Sequence, residues 1–207
     1  MNIIRNYVVA FSLIISCLGY GQNYQYGFEI SPCFNYQLQN SKITQTWSTI
    51  SGTGFQIGAF INKRIGEHSR VGSALKFEYV GFNQKQGNVL INSFRIASVN
   101  IPLLFQQEIG VTKHWFYKVG IGLNYNFLNR QLQNGFWLNL NDIANQFQPY
   151  ASVGIDYTMD GKFILGIDAR YHILDLWMKE VQDMTGVKTT LFSFDFSLKY
   201  NLASNKK

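Results

Sequence analysis

Charged side chains are scarce in this chain, making up 14% of its 207 residues where a soluble globular protein carries roughly 25%. Something other than a charged surface must therefore keep the protein in place. Proline is held to three copies, and the two cysteines are Cys17 and Cys33. Because Cys17 falls in an N-terminal apolar segment, Cys33 is left alone in the body of the chain. That excludes an internal disulfide and gives no basis for metal or redox chemistry, so no cofactor is expected. His68, His114 and His172 are too dispersed to read as a metal site. The net charge of +6 is spread over single Lys and Arg residues with no run of five or more, which argues against nucleic acid as a partner. A transmembrane helix needs about 20 apolar residues, and no stretch of the chain supplies them.

Aromatic residues, by contrast, make up 16% of the chain and glycine is present in 18 copies. That mixture suits strands joined by tight turns, and the expected class is all-β. Residues 1–21 read as a secretory leader: Arg5 provides the positive start, Tyr7 to Ser16 the apolar run, and Gly19-Tyr20-Gly21 the small residues before a mature chain starting near Gln22. Ile14-Ile15-Ser16-Cys17 also fits a lipoprotein cleavage pattern, which would leave Cys17 acylated. Residues 22–207 form one barrel domain in this reading.

Eight segments alternate with period two: Tyr24 to Leu38, Gly54 to Ile65, Arg70 to Phe82, Phe94 to Ile109, Tyr117 to Phe127, Phe147 to Tyr157, Phe163 to Ile173 and Thr190 to Leu202. In the last, Phe192, Phe194, Phe196, Leu198, Tyr200 and Leu202 share one face, while Ser193, Asp195, Ser197, Lys199 and Asn201 share the other. The fifth sets Tyr117, Val119, Ile121, Leu123, Tyr125 and Phe127 against Lys118, Gly120, Gly122, Asn124 and Asn126. Aromatics at both ends with aliphatics between them is the distribution of a lipid-facing strand. Pro102 lacks a ladder donor and predicts a bulge or relaxed pairing in the fourth segment. Short connections (66–68, 110–114, 159–162) alternate with long ones (39–53, 83–93, 128–146, 174–189). This alternation predicts an up-and-down, eight-stranded antiparallel transmembrane β-barrel in a Gram-negative outer membrane, with termini and short turns periplasmic and long loops extracellular.

The face opposite the apolar one carries charge of both signs in mid-strand: Glu29, Arg64, Lys76, Glu78, Lys118, Asp156, Asp168, Arg170, Asp195 and Lys199. A soluble barrel would have to bury these in an apolar calyx, whereas a polar interior lets them pair with one another. Five acids facing five bases predict a plugged, non-conducting lumen, with Asp168 and Arg170 paired mainly to neighbouring strands through Asp156, Asp195 and Lys199. Gly120-Ile121-Gly122 precedes no helix and is not a dinucleotide motif; these glycines are expected to make room for Lys76, Lys118 and Arg170. Cys33 falls among polar lumen residues as a small filler.

Asn100-Ile101-Pro102-Leu103-Leu104-Phe105 resembles the apolar-Ile-Pro-Leu-Leu pattern of the PorT-like outer-membrane β-barrel family. Pro149-Tyr150-Ala151 with Gly154, and Asp168-Ala169-Arg170-Tyr171 followed by Leu174-Asp175, are similar as well. The resemblance covers nearly the whole mature chain. It implies an outer-membrane barrel and, through the family's founding member, a link to protein secretion.

Three roles follow as expectations. The first is a monomeric structural or interaction component, working among outer-membrane lipids and lipopolysaccharide with an envelope protein as partner. Its contact surface would use Phe136, Trp137 and Trp177, whose loops also carry Leu176, Val181 and Met184, or those loops would instead fold over the barrel mouth. The second is a component of a protein-export machine. The third is a lipid-modifying enzyme centred on His172, with Asp168 and Asp175 on either side of it, although no serine can be placed beside it as nucleophile. The first reading is preferred, and no catalytic residue is assigned.

Overall fold

The computed structural model describes residues 24–41, 46–86, 89–110, 114–133 and 136–202. The leader 1–21, with Cys17, and the expected mature start at Gln22 lie outside them. The described residues form β1 (Tyr24–Ser41), β2 (Thr46–Arg64), β3 (Ser69–Gln86), β4 (Val89–Ile109), β5 (Trp115–Gln133), β6 (Phe136–Asn139), β7 (Phe147–Met159), β8 (Phe163–His172) and β9 (Val187–Asn201), with one short helix, α1 (Lys179–Thr185), before β9. Every pairing is antiparallel, and β1 pairs with β9 to close the sheet on itself. The four-residue β6 only folds back on the far end of β5, so eight strands make the wall of the barrel.

The two-residue period decides which side chains face out. Phe28, Ile30, Ile57 and Ile167 are more than half exposed, while their neighbours Glu29, Ser31, Gln56 and Asp168 are buried. An apolar exterior around a polar interior is stable when the exterior meets hydrocarbon instead of water. Aromatic pairs stand near both margins of this belt. Trp115 and Tyr157 (ring centroids 4.7 Å apart) and Phe163 and Tyr200 (5.2 Å) lie at the end with the short turns, and Tyr125 and Phe147 (5.0 Å) lie toward the other.

The wall is uneven in height. A tilted transmembrane strand needs about 9–11 residues, yet β1 to β5 run for 18 to 21, against 13 in β7 and 10 in β8. Most of the expected long connections 39–53 and 83–93 are therefore strand, and so is the start of 128–146. In Gln39-Asn40-Ser41 the apolar alternation has stopped, but the backbone ladder continues through Ser41↔Thr46. We refer to this tall end as the rim and to the opposite end as the turn end.

At the turn end, Asp160 (φ 46°) and Gly161 (φ 69°) occupy the left-handed region at the centre of the tight turn that Lys162 N closes onto Met159 O (3.2 Å). Pro102 relaxes pairing on one side only: β4 meets β5 regularly at Pro102↔Gly122, while its ladder to β3 lapses between Leu103↔Ser73 and Asn100↔Lys76. The bulge itself sits at Ala97/Ser98.

Candidate functional site

The inward positions of six strands assemble a charged layer across the middle of the lumen. Lys118 on β5 bridges Asp156 on β7 (2.6 Å) and Asp168 on β8 (2.7 Å), and Lys199 on β9 holds the second oxygen of Asp156 (2.8 Å). Lys76 on β3 pairs with Glu29 on β1 (2.6 Å), whose carboxylate also accepts from Ser31 Oγ (3.1 Å). Arg170 on β8 donates through both terminal nitrogens to Glu78 on β3 (2.8 and 3.0 Å), while its Nε lies 2.6 Å from Asp195 on β9. Gln56 on β2 donates to the other oxygen of Asp195 (3.1 Å). All these groups are buried, and buried charges persist only where their partners stay in place.

The geometry differs from the sequence expectation in three respects. Arg170 does meet Asp195 on a neighbouring strand, but its two-pronged contact with Glu78 crosses the lumen, as do other links of the layer. Arg64 takes no part. It is the last residue of β2, and its guanidinium turns to the carbonyl oxygens of Gly66 (3.0 Å) and Glu67, unpaired turn acceptors nearer to it than any lumen carboxylate. Its register partner Arg70 is the cation that faces inward at this end, stacked 4.0 Å from the Phe116 ring centre and donating to Gln25 (2.8 Å). Glycine also serves different neighbours. A Cβ on Gly122 would collide with the Tyr150 ring, and Lys118 gains room from Gly166, not from Gly120.

Tyr150, absent from the sequence candidates, is almost fully buried; its hydroxyl donates to Asn100 (2.6 Å) and its ring lies 5.6 Å from the Arg170 guanidinium. The usable signal was its inward place in the alternation, opposite a glycine.

Toward the rim the lumen becomes apolar. Cys33, Ile50, Val80, Phe82, Phe94, Ile96, Leu140, Leu176 and Leu191 form one buried cluster, with Trp177 packed against it. Strands supply most of these side chains, but Leu140, Leu176 and Trp177 come from the irregular segments 140–146 and 173–178, which cross the mouth and are joined by hydrogen bonds. Asn145 N donates to Leu176 O (2.8 Å), Met178 N to Ile143 O (3.0 Å), and Asn145 Nδ2 to the carbonyls of Asp175 (2.8 Å) and Trp177 (2.9 Å). Asp175 accepts from Thr189 N (2.7 Å), tying this cap to β9. Burial pushes the Asp175 carboxyl above its ordinary pKa, partly opposed by the amide donors around it.

The loop candidates thus divide. Trp177 closes the mouth, as the alternative reading of the loops expects, whereas Phe136 (75% exposed) and Trp137 (45%) remain on the surface of β6. His172 is buried with no hydrogen-bond partner at Nδ1. The two acids expected on either side of it are engaged elsewhere, Asp168 by Lys118 and Asp175 by Thr189. His68 and His114 lie at the turn end, where His68 Nδ1 stands 3.1 Å from Glu108.

No family model matches the chain, and no curated protein matches it in sequence. Solved structures do share its fold. One is Ail, the attachment invasion locus protein of Yersinia pestis, at 12% identity and a TM-score of 0.51, covering 85% of this chain and 99% of that one. Another is Neisserial surface protein A, at 14% identity and a TM-score of 0.50, covering 84% and 96%. Both likenesses are of the eight-stranded antiparallel barrel alone.

Proposed function

We propose that this chain is a non-conducting outer-membrane barrel acting as a structural or interaction component, non-enzymatic, with its rim outside the cell. One observation carries the reading: the exterior is apolar around the whole barrel, while the interior is closed twice, by a paired charged layer and by an apolar cap. Eight strands leave an interior only wide enough for side chains, and here the side chains fill it. What remains for contact with other molecules is the rim, where the tall hairpins and the exposed Phe136, Trp137 and Met184 stand clear of the cap. The PorT-like resemblance at Asn100 to Phe105 supports an envelope-protein partner, with a protein-export assembly as the class to test.

Planar-bilayer recording of the purified chain, together with membrane fractionation, tests this. The expected result is outer-membrane recovery released only by detergent, and no stepwise currents. Steady single-channel steps, or a folded monomer soluble without detergent, would overturn it. Single cysteines beside Trp137 and at Gly161, treated with a membrane-impermeant reagent on intact cells, test the orientation: labelling is expected at Trp137 only.

A further inference from the structure

On the outside of the wall, level with the cap, β4 and β5 set two arginines side by side. Arg95 and Arg130 are direct cross-strand partners. Their chain neighbours Phe94, Ile96 and Asn129 are buried toward the lumen, so both arginines lie on the outer face. Like charges directly opposite one another weaken a ladder, and such a pair calls for a counter-charge. Among the described residues none is supplied. All 12 acidic residues fall in the described segments, and among the described residues none forms an ion pair with either arginine.

Arg95 is nonetheless held in place. Its Nη1 donates to Ser93 Oγ (2.8 Å) and Phe94 O (3.0 Å), and its guanidinium carbon lies 5.7 Å from the Trp137 ring centre. A Cβ on Gly81 would stand 2.8 Å from Nη1, so glycine there lets the guanidinium lie flat against the wall. Every one of these contacts is neutral.

The position along the barrel is informative as well. The last outward aromatics before the two arginines are Tyr79 on β3, two residues from Gly81, and Phe127 on β5, three residues from Arg130. At about 3.3 Å per residue along strands tilted by about 40°, the arginines stand roughly 5–8 Å higher than the last rings of the apolar belt, and a headgroup layer extends about 5–8 Å past the hydrocarbon on each side. Exposed Trp137 beside them is the residue type enriched at that level.

We infer that Arg95 and Arg130, flanked by Trp137, form a docking site for the phosphate-bearing headgroup of a lipid in the leaflet around the rim, its acyl chains lying along the apolar wall past Phe127. Two planar guanidinium groups match the several oxygens of a phosphate. An anion held by both groups relieves the cross-strand repulsion. This inference rests on the proposed orientation, which makes the outer leaflet the source of the lipid.

The test is retention of lipid by the purified full chain in neutral detergent, read by native mass spectrometry. Three probes are compared: bis-phosphorylated lipid A, the same lipid stripped of its phosphates, and inorganic phosphate. The wild type is expected to retain the phosphorylated lipid at least about tenfold better than the stripped one, and Arg95→Gln/Arg130→Gln to lose that preference while still migrating as a folded barrel on unheated gels. Lys63→Gln, which removes a cation at the turn end, should change nothing. Equal retention of the stripped lipid, or an unchanged preference in the double variant, would refute the site. Saturable binding of inorganic phosphate without lipid would refute the lipid as occupant. Failure of the orientation is separable: it would appear as an unlabelled cysteine beside Trp137 in intact cells, with selective retention intact, and would remove the outer leaflet as the source.

Discussion

Around Arg170 the barrel interior is filled with ion pairs, and farther along the same strands, around Phe82 and Leu176, it is filled with hydrocarbon. The two regions occupy one tube, yet they depend on different parts of the chain. The charged layer is built wholly from inward positions on strands, and its links join β1 to β3, β3 to β8 and β7 to β9. The cap borrows strand residues for its floor but takes its roof from segments with no regular structure. A charged layer distributed over the wall should fail as a whole when one partner is lost, because the remaining charge stays buried. A cap held by dispersion and a few backbone hydrogen bonds should open locally and leave the wall standing.

The largest effect is expected at Arg170, whose removal strands Glu78 and Asp195 without their cation. Arg170→Ala should cost about 3–5 kcal/mol, read as a lowered urea midpoint of the detergent-solubilised barrel. A variant as stable as the parent would show that the layer does not hold the interior together.

In the cap, Leu176→Ala removes a buried side chain and should cost about 2–5 kcal/mol, the lower end applying where the irregular segment collapses into the gap. Hydrogen exchange should locate that loss in 140–146 and 173–178, with the strands keeping wild-type protection. Deprotection spread through β7 and β8 would erase the contrast between the two regions.

Gly122→Ala lies on the border between them. The added methyl must displace Tyr150 from its hydrogen bond with Asn100, and overpacking of this kind costs about 1–3 kcal/mol. A quenching experiment on the tyrosine ring, or its chemical shift, should report the displacement directly.

The smallest effect is a pH dependence confined to the cap. The Asp175 carboxyl in the folded cap has a pKa raised by burial, so the folded state binds a proton more readily than the unfolded one. Its contribution is fully present below the unfolded value of about 3.9 and is lost as pH rises through the higher folded value. Trp177 fluorescence should therefore show a cap more resistant to urea at pH 4 than at pH 7, and Asp175→Asn should flatten that difference.

Much of the wall was legible residue by residue. In Phe192 to Asn201 each outward aromatic or leucine and each inward polar residue stands where alternation puts it, because a strand turns successive side chains to opposite sides and the two sides meet different media. Of the ten charges that the same rule assigned to the lumen, nine meet in the charged layer. The rule erred at Arg64 because a period says which way a residue faces and not where the strand ends. It also underestimated β1 to β5; in β1, β2, β3 and β5 the upper stretches keep their ladder after the apolar pattern has given way to residues such as Gln, Asn, Ser and Thr.

Sequence by itself determined the class of fold, the apolar exterior, the polar interior and the short hairpins such as Asp160-Gly161, since each follows from a pattern a few residues long. Only the tertiary structure decided that Arg170 reaches Glu78, that Tyr150 fills the space above Gly122, and that Leu176 and Trp177 close the mouth while Phe136 and Trp137 stay outside. Those contacts join residues up to 92 positions apart, and they exist because eight strands close into a tube narrow enough for opposite walls to touch. No local period carries that dimension. The segments that form the cap have no period at all, so their place was set by the apolar opening they cover.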